Sequence, residues 1–398
     1  MRKLSLEDLA LFGGAPAFND PLHVGRPNIG DRDSFLARVN QMLDQRWLTN
    51  NGPFVQELEQ KLSALLGVRH CIALCNATVA LEIAARALGL EGEVILPSFT
   101  FVATAHALQW QGITPVFCDI DPVTHNIDPA RVRELITPRT SAILGVHVWG
   151  RACPIEELSA LARQHHLKLV FDAAHALGCS YRGKTLGSFG DAELFSFHAT
   201  KFFNTFEGGA VCTNSDELAG SVRKMANFGF VDVDQVVGLG TNGKMSEVAA
   251  AMGLTSLESF DQFIQVNRRN YLAYSRGLDG IPGIQLVRYE DSESNNYQYI
   301  VLEIQEQAAP MSRDVLVQVL QAENVLARRY FFPGCHQMEP YRSRFPDVGL
   351  RLSETERLTQ RVLQLPTGTA VGEEDVGKIC EVVRFACTNA PEIRRRLH

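Results

Sequence analysis

Between residues 69 and 172, short apolar runs alternate with segments of helical periodicity, and this alternation restricts the fold more than any other feature of the chain. The runs have the length and the β-branched and aliphatic content of buried strands. We predict strands in these segments: 70–75, 93–97, 114–120, 141–146 and 167–172. Helices are predicted in three segments between them: 77–88, 101–111 and 154–165. Strands separated by helices join through right-handed crossovers into a parallel sheet covered on both faces, so the sequence predicts an α/β fold.

The pattern changes after GIPGIQ, residues 280–285. Before it, helices are predicted at about 215–227, 246–266 and 267–279. After it, a strand near 297–304 and helices near 312–322, 353–363 and 373–386 indicate a smaller α+β unit. We therefore predict a large domain at 1–265 and a smaller C-terminal domain at 266–398.

Composition argues against several classes of protein. The 398 residues are 45% hydrophobic with a net charge of −7, and the charge shows no basic face or cluster of the nucleic-acid-binding kind. No apolar run approaches the ~20 residues of a membrane span, and Glu7 and Asp8 interrupt the N-terminus where a signal peptide would be apolar. The nine cysteines lack the spacing of a zinc site or a disulfide framework. We expect no metal, no nucleic-acid or membrane partner, and a cytoplasmic location with reduced thiols.

Polar residues follow four of the predicted strands. The clusters are Asn76-Ala77-Thr78, Pro97-Ser98-Phe99-Thr100, Asp172-Ala173-Ala174-His175 and the segment 196–201. In open α/β sheets, ligands bind outside the carboxyl ends of the strands. The sequence therefore predicts one binding site to which all four clusters contribute.

Lys201 stands in ELFSFHATKFFN, where Phe195, Phe197, Phe202 and Phe203 surround it in sequence. Burial among apolar groups disfavours the ammonium form and lowers the pKa of a lysine, which makes the amine a nucleophile for Schiff-base chemistry. The alternative is an exposed lysine whose stem lies along an apolar surface, as is usual for lysines.

Asp172 ends the predicted strand LVFD, with apolar residues behind it. A buried carboxylate needs a cationic partner, and the nitrogen of a pyridinium ring is one such partner. Asp is also a preferred residue at the start of a helix, so a helix cap is the alternative.

Two further segments suit a phosphate and an aromatic ring. NATVAL opens a predicted helix, where the N–H groups of Ala77 and Thr78 and the Thr78 hydroxyl can hold an anion. In PSFTFVAT, Phe99 or Phe101 offers a flat apolar face for stacking. Each segment alone also fits a helix cap or a core residue, but jointly and in this order they match one known arrangement.

The chain resembles the sugar aminotransferases of the DegT/DnrJ/EryC1/StrS family. That family has the aspartate-aminotransferase fold (PLP fold type I), with a mostly parallel central sheet in the large domain and a smaller C-terminal α+β domain. The motifs that carry the resemblance are WLTNNGP (47–53), NATVALE (76–82), LPSFTFVATAHAL (96–108), VFCDID (116–121), VHVWG (146–150), FDAAHALG (171–178), GSFGDAELFSFHATKFFNTFEGGAV (187–211) and GTNGKMSEVAAAMGL (240–254). Within the family, SFHATK, NTFEGG and NGKMSE are similar to members that aminate a nucleotide-linked 4-keto-6-deoxyhexose.

The resemblance implies a pyridoxal 5'-phosphate cofactor and a role for each matching residue. Lys201 would hold the cofactor aldehyde covalently and later move a proton, and Asp172 would pair with the ring nitrogen. His175 would stand near the phenolic oxygen of the ring, where many relatives have glutamine. The phosphate would be held by Ala77, Thr78 and Ser196, the ring would stack on Phe101, and Asn242 would reach the cofactor phosphate of a neighbouring subunit. Ala77 departs from the glycine common at its position.

Five residues are candidates for substrate contact: His147, His198, Lys244, Tyr330 and His336. For His147 a structural role is an equal alternative, and His198 either contacts the site or packs beside it. Gly243-Lys244 stand where many relatives have an aromatic residue and an arginine. In RRYFFPGCHQMEPY (328–341) the resemblance implies nucleotide-sugar contact, with an aromatic patch that closes the domains as the alternative.

The resemblance thus implies a homodimeric aminotransferase with shared active sites, which transfers an amino group from L-glutamate to a nucleotide-linked ketosugar. The expected reaction is amination at C4 of a dTDP-linked 4-keto-6-deoxyhexose, in the synthesis of lipopolysaccharide O-antigen. Alternatives within the fold are a cyclitol aminotransferase, a nucleotide-sugar 3-aminotransferase and a sugar dehydratase, although dehydratases have histidine where this chain has Lys201. A non-catalytic ligand sensor is the alternative of another class.

Overall fold

The computed structural model describes residues 3–305 and 308–397. Its helices are α1 (Arg32–Gln45), α2 (Pro53–Leu66), α3 (Ala77–Ala87), α4 (Val102–Trp110), α5 (Pro129–Leu135), α6 (Ile155–His165), α7 (Asp216–Ala226), α8 (Glu247–Glu258), α9 (Phe260–Leu278), α10 (Arg313–Ala322), α11 (Tyr341–Arg344), α12 (Ser353–Thr359), α13 (Glu373–Thr388) and α14 (Ala390–Leu397). Its strands are β1 (Leu22–His23), β2 (His70–Leu74), β3 (Glu93–Pro97), β4 (Thr114–Cys118), β5 (Thr140–Val146), β6 (Lys168–Asp172), β7 (Ser180–Tyr181), β8 (Lys184–Thr185), β9 (Ala192–Ser196), β10 (Gly209–Thr213), β11 (Ile284–Leu286), β12 (Ile300–Ile304), β13 (Val325–Leu326) and β14 (Val362–Leu365). None of the helices in these ranges is both long enough and apolar enough to cross a bilayer.

Seven strands form the central sheet in the order β2-β10-β9-β6-β5-β3-β4. β10 runs antiparallel to both of its neighbours, and the other pairs are parallel. The mostly parallel sheet of the predicted fold class is therefore confirmed. The parallel strands place their carboxyl ends along one edge, where ligands bind in open α/β sheets.

Residues that alternate along the central strands belong to two separate hydrophobic clusters. In β3, Val94 and Leu96 pack into one cluster and Ile95 into the other. Helices α3, α4 and α7 complete the first cluster, and α2, α6 and α8 complete the second. Because successive side chains of a strand point to opposite faces, helices cover both faces of the sheet.

A third hydrophobic cluster lies in the smaller unit, where β11, β12 and β14 form an antiparallel sheet against α9, α10 and α13. The start of the chain packs here as well, since Leu9 is fully buried in this cluster and β1 pairs with β13. The predicted boundary between residues 265 and 266 falls inside α9. The division into domains at 1–265 and 266–398 therefore stays a prediction. The structure also shows that the first residues of the chain pack with the smaller unit.

Two predicted helices have different bounds in the structure. The helix expected at 353–363 ends at Thr359, and the chain then enters β14 because Val362–Leu365 pairs with β12. The break expected between residues 266 and 267 lies instead at Ser259, between α8 and α9. In both places pairing or packing with distant residues overrides the local pattern.

Candidate active site

The carboxyl ends of the parallel strands open into a cavity of about 350 Å³. Residues after β2, β3, β6 and β9 line it, so the structure brings the four predicted clusters together. From these segments the lining residues are Asn76, Ala77, Thr78, Thr100, Phe101, Asp172, Ala174, His175, Ser196, His198, Thr200 and Lys201. The volume is that of a small-molecule site.

Lys201 reaches the cavity from the loop that follows β9. Its Nζ donates a hydrogen bond to the phenolic oxygen of Tyr299 at 3.0 Å. Burial lowers the pKa of the Lys201 ammonium to about 8, although the nearby Asp172 carboxylate acts to raise it. A substantial fraction of neutral, nucleophilic amine is therefore available near neutral pH.

The groups that enclose Lys201 differ from those expected. Phe195, Phe197, Phe202 and Phe203 pack into the core under the sheet and do not line the cavity. Tyr299 lies against the amine instead. The predicted lowering of the Lys201 pKa is thus confirmed, but the prediction that these four phenylalanines cause it is wrong, because their rings pack into the core.

Asp172 is the last residue of β6 and is 7% exposed. Its Oδ2 accepts a hydrogen bond from Thr104 Oγ1 at 2.9 Å, and its Oδ1 accepts one from the Ala174 N–H at 3.1 Å. Burial raises the pKa of the Asp172 carboxyl, against these hydrogen bonds and the charge of Lys201, which lower it. A buried carboxylate that faces a cavity and takes its hydrogen bonds from neutral groups fits a cationic ring nitrogen.

His175 lines the cavity between aromatic rings. Its Nδ1 accepts a hydrogen bond from the Trp149 backbone N–H at 3.2 Å, and its ring lies parallel to that of Phe331. Burial, aided by the charge of Lys201, holds the pKa of His175 well below its ordinary value. The neutral ring must then carry its proton on Nε2, which makes that nitrogen a donor suited to a phenolate oxygen.

The start of α3 forms the predicted anion site. Asn76 caps the helix by accepting from the Val79 N–H at 2.8 Å, and Ala77 and Thr78 in the first turn line the cavity. N–H groups of a first turn have no partner within the helix and attract anions. Ser196, at the end of β9, lines the same cavity. These groups fit a phosphate, as the resemblance implied.

The two phenylalanines of PSFTFVAT take different positions. Phe101 lines the cavity and is 54% exposed, whereas Phe99 is fully buried with its ring edge-on to that of Trp149. Of the two, Phe101 has a face free to stack on a bound ring.

Two of the five substrate candidates line the cavity. His198 lies at its mouth with Nδ1 bonded to the Thr200 hydroxyl at 2.8 Å and Nε2 3.5 Å from Glu207. Tyr330 forms part of the outer wall, where the Arg328 guanidinium lies 5.4 Å from its ring and bonds its hydroxyl.

His147 and His336 are buried and lie outside the cavity, so neither side chain can contact a substrate bound in the cavity of this structure. His147 bonds Glu193 at 3.0 Å and accepts from the Cys153 N–H at 3.0 Å. His336 bonds Ser98 Oγ at 2.6 Å and Glu356 at 2.8 Å, which ties the end of β3 to α12. Both rings have partners at both nitrogens, which is typical of structural histidines.

Asn242 and Lys244 also lie outside this cavity. Asn242 is exposed and forms an isolated bridge with Asn227. The Lys244 ammonium lies 4.6 Å from the ring centre of Phe228. The roles of these two residues at a neighbouring subunit's site or at a substrate stay predictions.

Several lining residues are not among those predicted from the sequence: Gln298 and Tyr299 from the smaller unit, and Thr104 from α4. Arg328 and Phe331 also line the cavity, and they belong to the segment 328–341 that was predicted to contact the nucleotide sugar. Thr104 had a local signal, since it lies within a predicted helix at a strand's end. Gln298 and Tyr299 lie far along the chain, and no local pattern relates them to Lys201.

The comparisons with known proteins agree with this geometry. Residues 30–384 match the model of the DegT/DnrJ/EryC1/StrS aminotransferase family. The chain belongs to that family. It is 38% identical over 366 residues to a dTDP-4-amino-4,6-dideoxy-D-glucose transaminase of Shigella dysenteriae, across 92% of this chain and 98% of that protein. It is 34% identical to a GDP-perosamine synthase of Caulobacter vibrioides, across 86% and 92% of the two chains.

A crystal structure of DesI in the presence of its TDP-sugar product superposes with a TM-score of 0.93 at 50% sequence identity, covering 99% of this chain and 100% of that one. The predicted family, fold class, aminotransferase activity and pyridoxal phosphate cofactor are therefore confirmed. When bound, that cofactor supplies an electron-withdrawing ring that stabilises negative charge on the carbon next to the transferred nitrogen.

The residues of this chain account for the rest of the chemistry. The Lys201 amine can attack a carbonyl or carry a proton at Nζ, since its pKa of about 8 allows both forms near neutral pH. The Asp172 carboxylate would pair with a protonated ring nitrogen, and His175 would donate a hydrogen bond from Nε2. The N–H groups at the start of α3 would hold the phosphate, so that the reacting atoms would keep one position relative to Lys201.

Proposed function

We propose that this family member transfers an amino group from L-glutamate to C4 of a 4-keto-6-deoxyhexose linked to thymidine diphosphate. The observation that carries the proposal is the shape of the cavity: Lys201 and Asp172 lie inside, and Arg328 and Tyr330 form the outer wall. A guanidinium suits a diphosphate and an aromatic ring suits a nucleobase. The similarity to the Shigella transaminase and to DesI supports C4 as the carbon that is aminated.

The reaction proceeds in two halves. L-Glutamate first gives up its amino group to the enzyme and leaves as 2-oxoglutarate. The ketosugar then accepts that nitrogen at its carbonyl carbon and leaves as the aminosugar. Lys201 moves the proton between the cofactor and the substrate carbon in each half, which requires an amine that can both accept and release a proton near neutral pH.

A homodimer with shared active sites is part of the proposal. Asn242 lies outside its own cavity, and the segment before it exposes an unusual number of apolar side chains: Phe228, Val231, Val233, Val236, Val237 and Leu239. Exposed apolar patches of this kind are typical of protein interfaces.

We also propose a cytoplasmic location, which the free thiols of the nine cysteines support. From resemblance alone, we propose a place in O-antigen sugar synthesis.

A half-reaction screen tests the substrate assignment. The enzyme is converted to its amino form with L-glutamate, and a panel of nucleotide ketosugars and inososes is scored for return of the aldehyde-form absorbance. We expect the fastest return with a thymidine-diphosphate 4-keto-6-deoxyhexose and no return with the Lys201→Ala variant. A response to an inosose alone, or to a 3-ketosugar alone, would replace the proposal with one of the two alternatives. If the amino form appears with other amino acids but not with L-glutamate, the donor is wrong.

A further inference from the structure

Two consecutive residues of the smaller unit enter the active-site cavity. Gln298 and Tyr299 immediately precede β12 and line the cavity together with Lys201. They lie far beyond Lys201 in the chain, and Tyr299 is separated from Lys201 by 98 positions. The contact is therefore made by tertiary folding and not by the loop that carries the lysine.

Each of the two residues holds a different part of the Lys201 loop. The phenolic oxygen of Tyr299 accepts from Lys201 Nζ at 3.0 Å. The side-chain oxygen of Gln298 accepts a hydrogen bond at 2.9 Å from the backbone N–H of Phe202, the residue that follows Lys201. One segment thus fixes both the amine and the backbone beside it.

Tyr299 is itself held firmly. Its carbonyl oxygen accepts from the Tyr289 hydroxyl at 3.0 Å, and its ring centre lies 4.5 Å from that of His175 and 5.4 Å from that of Trp149. Burial raises the pKa of the Tyr299 phenol, so the hydroxyl stays neutral and keeps its proton at any working pH. The phenol is therefore a fixed, uncharged partner for the amine.

We propose that Tyr299 is a positioning residue for Lys201, and that Gln298 anchors the same segment to the lysine loop. This inference rests on the proposed function in that Lys201 carries the transamination. A free lysine side chain samples many rotamers, which costs about 2 kcal/mol of entropy to restrict. Holding Nζ at one point returns the amine to the same position whenever it is not covalently engaged, and positional errors of about 1 Å lower enzymatic rates by up to ~10²-fold.

The contact also has a predicted electrostatic effect. A phenolic oxygen that accepts from Nζ stabilises the ammonium more than the amine, because the charged form makes the stronger hydrogen bond. Without that oxygen, the pKa of Lys201 should fall further below about 8. A purely structural role of Tyr299 would leave this pKa unchanged.

The test compares Tyr299→Phe with Tyr297→Phe. Phe at 299 keeps the ring contacts and removes the oxygen. Tyr297 is a matched control, since its ring lies in a cluster with Tyr271 and Tyr289 and it does not line the cavity. We expect Tyr299→Phe to lower kcat by about ten- to a hundredfold with KM for both substrates unchanged, and Tyr297→Phe to retain wild-type kcat.

A second measurement uses the full chain freed of cofactor. Competitive labelling with acetic anhydride over a pH series gives the pKa of Lys201 from the modified peptide, with no sugar or glutamate present. We expect a value near 8 in the wild type and in Tyr297→Phe, and a lower value in Tyr299→Phe. Gln298→Met, which removes the acceptor for Phe202, should lower kcat and shift the Lys201 pKa in the same direction.

The proposal is overturned if Tyr299→Phe has the same kcat and the same Lys201 pKa as Tyr297→Phe. It is also overturned if Tyr299→Phe changes both kcat and KM while the pKa of Lys201 stays at the wild-type value. Because labelling involves neither substrate, it decides the role of Tyr299 even if no nucleotide sugar proves to be turned over. Failure of the proposed function would instead appear as an unresponsive substrate panel with the Lys201 pKa shift intact.

Discussion

Asp172 and Lys201 face one cavity with opposite charges, but each forms its hydrogen bonds with neutral groups. Lys201 donates to Tyr299, and Asp172 accepts from Thr104 and Ala174. Burial lowers the pKa of the amine and raises that of the carboxyl, since a weakly polar environment disfavours either charge. Burial of these two charges therefore lowers the stability of the folded chain, and a bound cofactor would offset that cost.

Asp172→Asn should have opposite effects on the stability of the cofactor-free protein and on catalytic activity. Asn has the same shape, its amide oxygen can still accept from the Ala174 N–H, and its NH2 group can donate to Thr104 Oγ1 while that hydroxyl turns to Thr100. The cofactor-free variant should therefore have a higher Tm than the wild type. A carboxyl with a raised pKa favours the folded state at low pH and loses that contribution as pH rises above its ordinary range, so the difference should appear at neutral pH and vanish in acid. The kcat should fall by roughly 10²–10³-fold, because the ring nitrogen loses its anionic partner.

Calorimetry of the cofactor-free proteins at pH 7 and in acid, together with steady-state kinetics, measures both effects. Thr104→Val is the matched control, since it removes one hydrogen bond to Asp172 and leaves the charge in place. A cofactor-free Asp172→Asn variant that is less stable than the wild type at pH 7 would contradict the prediction.

Lys201→Met tests the lowered pKa of the amine through stability. The pKa of about 8 lies below the value of 10.5 for an unperturbed lysine, so below pH 8 the folded chain bears a charge that burial disfavours. The cofactor-free variant should therefore be more stable than the wild type at pH 7, by roughly 3 kcal/mol at most, and the advantage should shrink between pH 8 and 10.5. Urea unfolding at pH 7 and 9.5 measures this, with the exposed Lys184→Met as control.

At the scale of elements, the anion site depends on how closely β10 approaches the start of α3. A Cβ on Gly209 would lie 2.6 Å from the Ala77 backbone nitrogen and 2.8 Å from its Cα. A backbone at that distance cannot move aside without shifting the first turn of the helix. Gly209 of the NTFEGG motif is thus required by packing.

Gly209→Ala should therefore destabilise the fold by about 1–3 kcal/mol and weaken cofactor retention, because the N–H groups of Ala77 and Thr78 are displaced. Gly220 lies within α7, and a Cβ added there would meet no other atom within 4 Å, so Gly220→Ala should be neutral or stabilising by up to ~1 kcal/mol. Urea denaturation of the two variants and equilibrium dialysis of pyridoxal phosphate provide the comparison. Equal effects in the two variants would mean that the close approach of β10 to α3 is not required.

At the scale of the whole molecule, the first residues of the chain connect the smaller unit to the active site. Glu323 is fully buried, accepts from the Ala10 and Ala17 N–H groups at 2.8 and 2.7 Å, and pairs with Lys3 at 2.8 Å. Farther along, β1 pairs with β13, and Val24 and Gly25 line the cavity. The N-terminal segment is thus held at one end by Glu323 and contributes to the site at the other.

Glu323→Gln should lower the free energy of unfolding by up to about 3–5 kcal/mol, because the buried Lys3 ammonium loses its carboxylate and keeps only the carbonyl oxygens of Asp8 and Ala15. It should also lower kcat/KM, since the segment at the cavity loses its anchor. Glu374, whose ion pair with Lys378 is exposed, serves as control, and Glu374→Gln should leave Tm unchanged. Unaltered thermal unfolding in Glu323→Gln would show that the N-terminal segment is held by its apolar contacts alone.

The sequence by itself determined the central sheet, its helices and the meeting of four polar clusters at one edge. Apolar periodicity, helix caps and strand ends are local properties, and parallel connection then fixes where the strand ends lie. The same locality explains why the sequence alone predicts Lys201, Asp172, His175 and the start of α3 as parts of the site.

Only the tertiary structure decided the rest of the site. It buried His147 and His336 away from the cavity, turned the phenylalanines around Lys201 into the core, and brought Tyr299 and Gln298 from the smaller unit to the amine. It also folded the start of the chain onto that unit. Contacts between residues many tens of positions apart depend on how whole elements pack, and packing is a property of volumes and surfaces that no window of neighbouring residues contains.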